Sequence, residues 1–272
     1  MLSDITLGQY FPAKSVMHRA DPRLKICLTI FSIVLIFSAG NFFSLALAVG
    51  YIVLGMALSK IPLKLYLKSL KPILFIIVFT AVLNIFYGTG DPLWQWGFIK
   101  ITKNGLLNSL FVSIRIITLI LASSVLTFTT SPTQLTDAIE RLLRPLARIG
   151  VPVHEFAMMM TIALRFVPLL LEETDKIMSA QKARGADMES GGVVQRIRAL
   201  VPVLIPLFVS AFRRAFDLAT AMESRCYNGG EGRTKMKQLH FGSVDWLVLM
   251  SAALVLGAFL ALNIVLPPSI VR

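Results

Sequence analysis

Two short stretches of this chain carry side chains suited to gripping another molecule. One reads Ala180-Gln181-Lys182-Ala183-Arg184-Gly185 and the other Ala221-Met222-Glu223-Ser224-Arg225-Cys226. Both follow one pattern: Ala, two residues, a small residue, Arg, then a small residue. The two arginines lie forty-one residues apart. A guanidinium is a planar fork that clamps carboxylates or carbonyls on a partner. Small neighbours let another surface come close to the backbone, and a cation is favoured at a helix C-terminus by the macrodipole. The plainer alternative is that each arginine caps its own helix, with Gly185 an ordinary stop. The repetition favours a docking device with two similar receptors.

Other chemistry finds little support. His18, His154 and His240 are isolated, and no H-E-x-x-H spacing occurs. His154-Glu155 reads as a helix start. Glu172, Glu173 and Asp175 are the densest acidic group, yet they cover only part of one helical face; Glu172 and Lys176 are spaced as an i,i+4 ion pair. Cys27 and Cys226 are too few for a disulfide framework or a multi-cysteine zinc site. No G-x-S-x-G and no phosphate-binding G-x-x-x-x-G-K-[ST] is present. The expectation is therefore no catalytic residue, no metal and no cofactor. Two rivals remain: an integral-membrane enzyme acting on a lipid, and a permease binding its own substrate. A permease would place polar groups at mid-membrane in several spans, and only Arg115 qualifies.

The elements that hold the two motifs follow from composition. The 272 residues are 56% hydrophobic and 15% charged, with mean hydropathy +0.73. Soluble domains average about 25% charged, so a water-soluble protein and a disordered one are both excluded. The net charge of +12 suits the anionic cytoplasmic face of a bilayer better than nucleic acid. Uncharged runs fill residues 26–59, 72–90, 104–136 (broken only by Arg115) and 246–271. The first is too long for one span and turns at Gly40-Asn41. Its basic flanks, Arg19, Arg23 and Lys25 before it and Lys60, Lys64, Lys68 and Lys71 after it, put both ends inside and the turn outside. Residues 89–104, with Trp94 and Trp96, then form an outer loop. Arg115 falls about 18 Å along its helix from Lys103, near mid-membrane, and needs a backbone carbonyl, a water or a partner; a structural contact is expected rather than a substrate site.

Residues 131–243 differ. They hold 15 of the 27 basic and 11 of the 15 acidic residues. Apolar residues still recur at helical steps: Phe156, Met159, Met160, Ala163, Phe166, Val167, Leu170. Three helices are predicted. The first runs from Ser131-Pro132 to about Ile149, the second from about Val153 to Arg184, the third from after Gly192 to about Tyr227. Pro168 interrupts the second, and Pro202 and Pro206 the third. Helices lying along the cytoplasmic interface are favoured over a compact cytosolic three-helix domain. The predicted fold is an all-α integral membrane protein of about five spans plus this module: a membrane block over 1–130, the charged cytoplasmic or interfacial module over 131–243 and a last span over 244–272.

On Gln181-Lys182-Ala183-Arg184-Gly185, Ser224-Arg225-Cys226-Tyr227 and the opening Asp21-Pro22-Arg23-Leu24-Lys25, the chain resembles the transmembrane T component of energy-coupling factor transporters. These are vitamin and metal importers of the ATP-binding cassette class. The resemblance implies a multi-pass subunit of the bacterial cytoplasmic membrane with its N-terminus inside. It implies that Ala183, Arg184 and Gly185, and likewise Ser224, Arg225 and Cys226, dock on two cytoplasmic ATPases. ATP would be bound by those partners, not by this chain. A membrane-embedded, substrate-binding S component would be touched by the helix faces around Met158, Met159, Met160, Pro168, Pro202 and Pro206. The second motif departs from the family's Ala-Arg-Gly form at Ser224 and Cys226.

Overall fold

A computed structural model describes residues 9–86, 92–96, 99–186, 192–229 and 240–265. The fold is all-α apart from one two-stranded ribbon. In chain order the elements are α1 (Val16–Arg19), α2 (Pro22–Ser38), α3 (Phe42–Ser59), α4 (Leu63–Leu70), α5 (Leu74–Phe86), β1 (Pro92–Trp96), β2 (Ile99–Thr102), α6 (Lys103–Thr129), α7 (Pro132–Leu143), α8 (Val153–Ala183), α9 (Val193–Glu223) and α10 (Ser243–Val265). The stretch read as an outer loop contains an antiparallel pair, β1 with β2, that pairs Gln95 with Lys100.

Among the described residues six helices are long and apolar enough to cross a membrane: Phe42–Ser59, Leu63–Phe86, Lys103–Thr129, Val153–Ala183, Ile197–Glu223 and Ser243–Val265. The sequence suggested about five. The difference has two causes. At 17 residues α2 is short for a span, and both helices of the charged module qualify, although with the lowest hydropathies of the six.

The chain divides into two compact units, Gly8–Ala138 with Gln238–Arg272, and Ile139–Lys237; the boundary falls inside α7. In the first unit, Leu35, Ile36, Leu45, Ile52, Phe111 and Phe259 form the core, with Ala39, Ala48 and Ala122 among them. Small residues matter here because membrane helices associate by close backbone approach, not by escape from water. Phe42 meets Phe111 edge-on at 5.1 Å. Around this core the outward faces are apolar, for example Ile30, Val34 and Phe37 on α2 and Phe75 and Phe79 on α5.

Several polar groups inside the unit meet at helix ends. Gly40-Asn41 is the α2–α3 turn, and Asn41 caps α3 reciprocally with Ser44. Arg115 donates from Nη2 to the carbonyl of Ala39 at 2.7 Å, and its guanidinium lies 4.7 Å from the Phe111 ring centroid. A backbone carbonyl is one of the partners the sequence allowed. The carbonyl of Ser38 at the end of α2 receives one more donor, Asn263 Nδ2, and in return Asn41 Nδ2 donates to the carbonyl of Leu262 in α10. At the opposite ends of α2 and α6, Lys25 Nζ donates to Thr129 O at 3.0 Å and to Thr130 Oγ1. Asp245, 2% exposed, accepts from the backbone N–H of Asp21 and of Gly242, each at 2.7 Å. Fourteen residues separate Lys25 from Ala39, and fourteen separate Arg115 from Thr129, about 21 Å in each helix. The two lysine and arginine contacts therefore set α2 antiparallel to α6 in a fixed register.

Candidate functional site

The second unit is built on α8 and α9. Ser131 opens α7 by accepting from Gln134 N while Gln134 Oε1 accepts from Ser131 N. A 3-10 turn over Arg144–Ile149 follows, closed by Gly150 at φ +87°. His154, at the start of α8, bonds Glu140 at 3.0 Å; it links two helices rather than holding a ligand.

Both 31-residue helices run through their prolines without a break. One consequence is visible. Pro206 has no N–H, so the carbonyl of Pro202, four residues earlier, lacks its helical donor. Gln181 Nε2 on α8 supplies one at 3.3 Å. Further along, Glu173 pairs with Arg214 at 2.5 Å. The Glu172–Lys176 pair expected from spacing does not form; both side chains are exposed, and the acidic group reaches across to the neighbouring helix instead. Going from Glu173 to Gln181 on α8 means going from Arg214 back to Pro202 on α9. The helices are therefore antiparallel, and their C-termini point in opposite directions.

The two motifs sit at those C-termini. At the end of α8 the N–H of Gly185 bonds Lys182 O and the N–H of Ala186 bonds Gln181 O, with Gly185 at φ +86°. At the end of α9 the N–H of Cys226 bonds Glu223 O and the N–H of Tyr227 bonds Met222 O, with Cys226 at φ +54°. Each is a Schellman cap, and each bond of one equals a bond of the other shifted by forty-one residues. The echo seen in sequence is thus an echo of backbone geometry. Ala183, Arg184, Gly185, Ser224, Arg225 and Cys226 are all exposed. Among the described residues, neither arginine side chain makes a hydrogen bond or ion pair. A guanidinium left unpaired on a protruding cap keeps all its donors for another molecule.

The profile of the family described as "CbiQ: Cobalt transport protein" matches residues 13–236. The chain belongs to this family. Within it the similarity to energy-coupling factor transporter transmembrane proteins EcfT is high. The protein of that name from Acidaminococcus fermentans is 54% identical over 262 residues, 96% of this chain and 98% of the relative. That from Ruminiclostridium cellulolyticum is 55% identical over 248 residues, 91% and 93% of the two chains. That from Bacillus subtilis is 46% identical over 262 residues, 96% and 98%. This CbiQ-family chain is accordingly a multi-pass membrane protein of a transporter family.

One further feature of this CbiQ-family chain escaped the sequence reading. Glu173 and Arg214 are themselves forty-one residues apart, the spacing of the two motifs. The pair lies eleven residues before Arg184 on one helix and eleven before Arg225 on the other, about 16 Å of helix each way. The signal was present in the spacing, but it had meaning only once the helices were known to lie antiparallel. The six positions expected to meet an S component are not gathered in one place. Met159, Met160, Pro168, Pro202 and Pro206 are exposed and Met158 is half-buried. Phe208, Phe212 and Phe216 recur at four-residue steps on α9, the last two 72% and 79% exposed.

Proposed function

We propose that this chain is the coupling subunit of an energy-coupling factor importer, passing ATP-driven motion from two cytoplasmic ATPases to a membrane-embedded S component that binds a vitamin or other micronutrient. The observation that carries the reading is the pair of matching caps, each presenting an unpaired arginine, at opposite ends of one antiparallel helix pair. Two equal tips facing apart suit two equal receptors. In this reading Ala183-Arg184-Gly185 and Ser224-Arg225-Cys226 each enter a groove on one ATPase, and ATP chemistry belongs to those partners; the chain performs none of its own. The S component lies along the exposed apolar faces, with Met158, Met159, Met160, Pro168, Pro202 and Pro206 joined by the phenylalanine stripe of α9. Methionines repack easily, which suits a surface that accepts different partners. The N-terminus lies inside, as the basic flanks of the first hairpin require.

Arg184→Ala and Arg225→Ala test this. Removing one partner of a charge-assisted interface contact costs about 2–5 kcal/mol. Each variant is expected to insert and fold normally, to copurify less ATPase and to lower uptake. The double variant is expected to lose both almost entirely. Wild-type copurification and uptake in the double variant would end the proposal.

A further inference from the structure

We propose that α4 and the turn after it form a binding stripe for anionic phospholipid on the basic side of the membrane unit. The stripe begins at Lys60, which closes α3 in the left-handed conformation at φ 55°, and continues through Lys64, Lys68 and Lys71, at steps of four, four and three residues. All four lysines are exposed. With about 100° between successive residues, Lys64, Lys68 and Lys71 fall within about 60° of arc. Among the described residues none of the four makes an ion pair or a side-chain hydrogen bond. The sequence has no Asp or Glu between Asp21 and Asp91 to neutralise them.

The opposite side of α4 is fixed. Tyr66, 1% exposed, bonds Ser59 at 2.9 Å and stands edge-on to Phe128 at 5.3 Å. Ser69 bonds Ser124 of α6 at 3.1 Å. These anchors stop the helix from rolling, so the lysine arc faces away from the protein. Between the anchors and the lysines runs an apolar edge. Leu63 and Leu67 are 68% and 64% exposed, and the edge continues through Leu70 to Leu74 and Phe75 at the start of α5. A cationic arc beside a lipid-facing apolar edge matches the two halves of a phospholipid: phosphate on the lysines, acyl chain along the leucines. A zwitterionic headgroup brings its own cation to the lysines, whereas an anionic one does not. The stripe therefore selects net negative charge. A lysine beside an anionic surface contributes about fivefold in affinity at physiological salt.

The test reconstitutes the full chain in phosphatidylcholine vesicles with a trace of spin-labelled phosphatidylglycerol or spin-labelled phosphatidylcholine. The protein-restricted fraction of each probe gives the selectivity. The wild type is expected to prefer phosphatidylglycerol several-fold, less so at high salt. The K64Q/K68Q/K71Q variant is expected to lose most of that preference, and K64R/K68R/K71R to keep it. Lys176→Gln, an exposed lysine outside the stripe, is expected to change nothing. If the glutamine triple fails to insert, Lys68→Gln alone is expected to show a partial loss. Unchanged selectivity in the glutamine variants, or none in the wild type, overturns the proposal. So does a triple that keeps its lipid preference but loses a copurifying protein, which would assign the lysines to that protein. The lipid readouts depend on neither ATPases nor an S component.

Discussion

At the level of single residues, Cys226 is the most informative position. It holds a left-handed backbone conformation that glycine holds at the equivalent Gly185, and a Cβ makes that conformation costly. The hydrogen bonds from Cys226 and Tyr227 hold it there. Cys226→Gly removes the Cβ strain at the cost of some chain entropy. The expected result is a gain of about 0.5–1 kcal/mol in the stability of the α9 terminus, read as slower amide exchange at Cys226 and Tyr227. An unchanged or faster exchange would show that the cap carries no strain. Gly185 was legible in the sequence because glycine after an arginine is a stop signal. Cys226 was not, since nothing in a cysteine announces a positive φ; only the shared hydrogen-bond frame reveals it. Arg115 was legible as a charge needing a carbonyl, but the carbonyl's owner, Ala39, was not, because the contact joins residues that only folding brings together.

For whole helices, the relevant contact is the Glu173–Arg214 pair between α8 and α9. It is part-exposed, so its direct worth is modest, about 0.2–1 kcal/mol. Its importance is positional, since it stands at the same distance from both tips. Glu173→Arg is expected to place like charges together and splay the helix pair. Arg214→Glu is expected to do the same, and the double exchange to restore the pairing. Disulfide trapping between introduced cysteines at Gln181 and Val203 would follow the splaying. Trapping rates that do not recover in the exchanged pair would sink the idea. The boundaries of α7, α8 and α9 were readable from Ser131-Pro132, Gly150 and Gly192, because caps and breakers act locally. The position of the two long helices relative to water and lipid was not readable, because a face both apolar and charged meets the criteria of a span and of an interfacial helix alike.

For the molecule as a whole, orientation can be tested through the tip itself. Cys27 and Cys226 are the two cysteines, and both are exposed. In a Cys27→Ser background, a membrane-impermeant maleimide is expected to leave Cys226 unmodified in sealed right-side-out vesicles and to label it in inverted ones. Labelling from the outer side would reverse the topology. The composition announced a membrane protein at once, since too few charges remain to clothe a water-facing surface. The division into units was harder to see. Their boundary falls within α7, just after the uncharged run ends at Asp137, but no turn or breaker marks it because the helix continues across it.

Asp245 has a consequence for how such a chain is made. It lies in the final helix, yet its carboxylate accepts the buried N–H of Asp21 near the beginning. A ribosome must therefore synthesise everything between, including the two long helices, before the opening segment finds its last acceptor. Until then the backbone N–H of Asp21 has no carboxylate to meet, so this seam closes only after α10 has emerged.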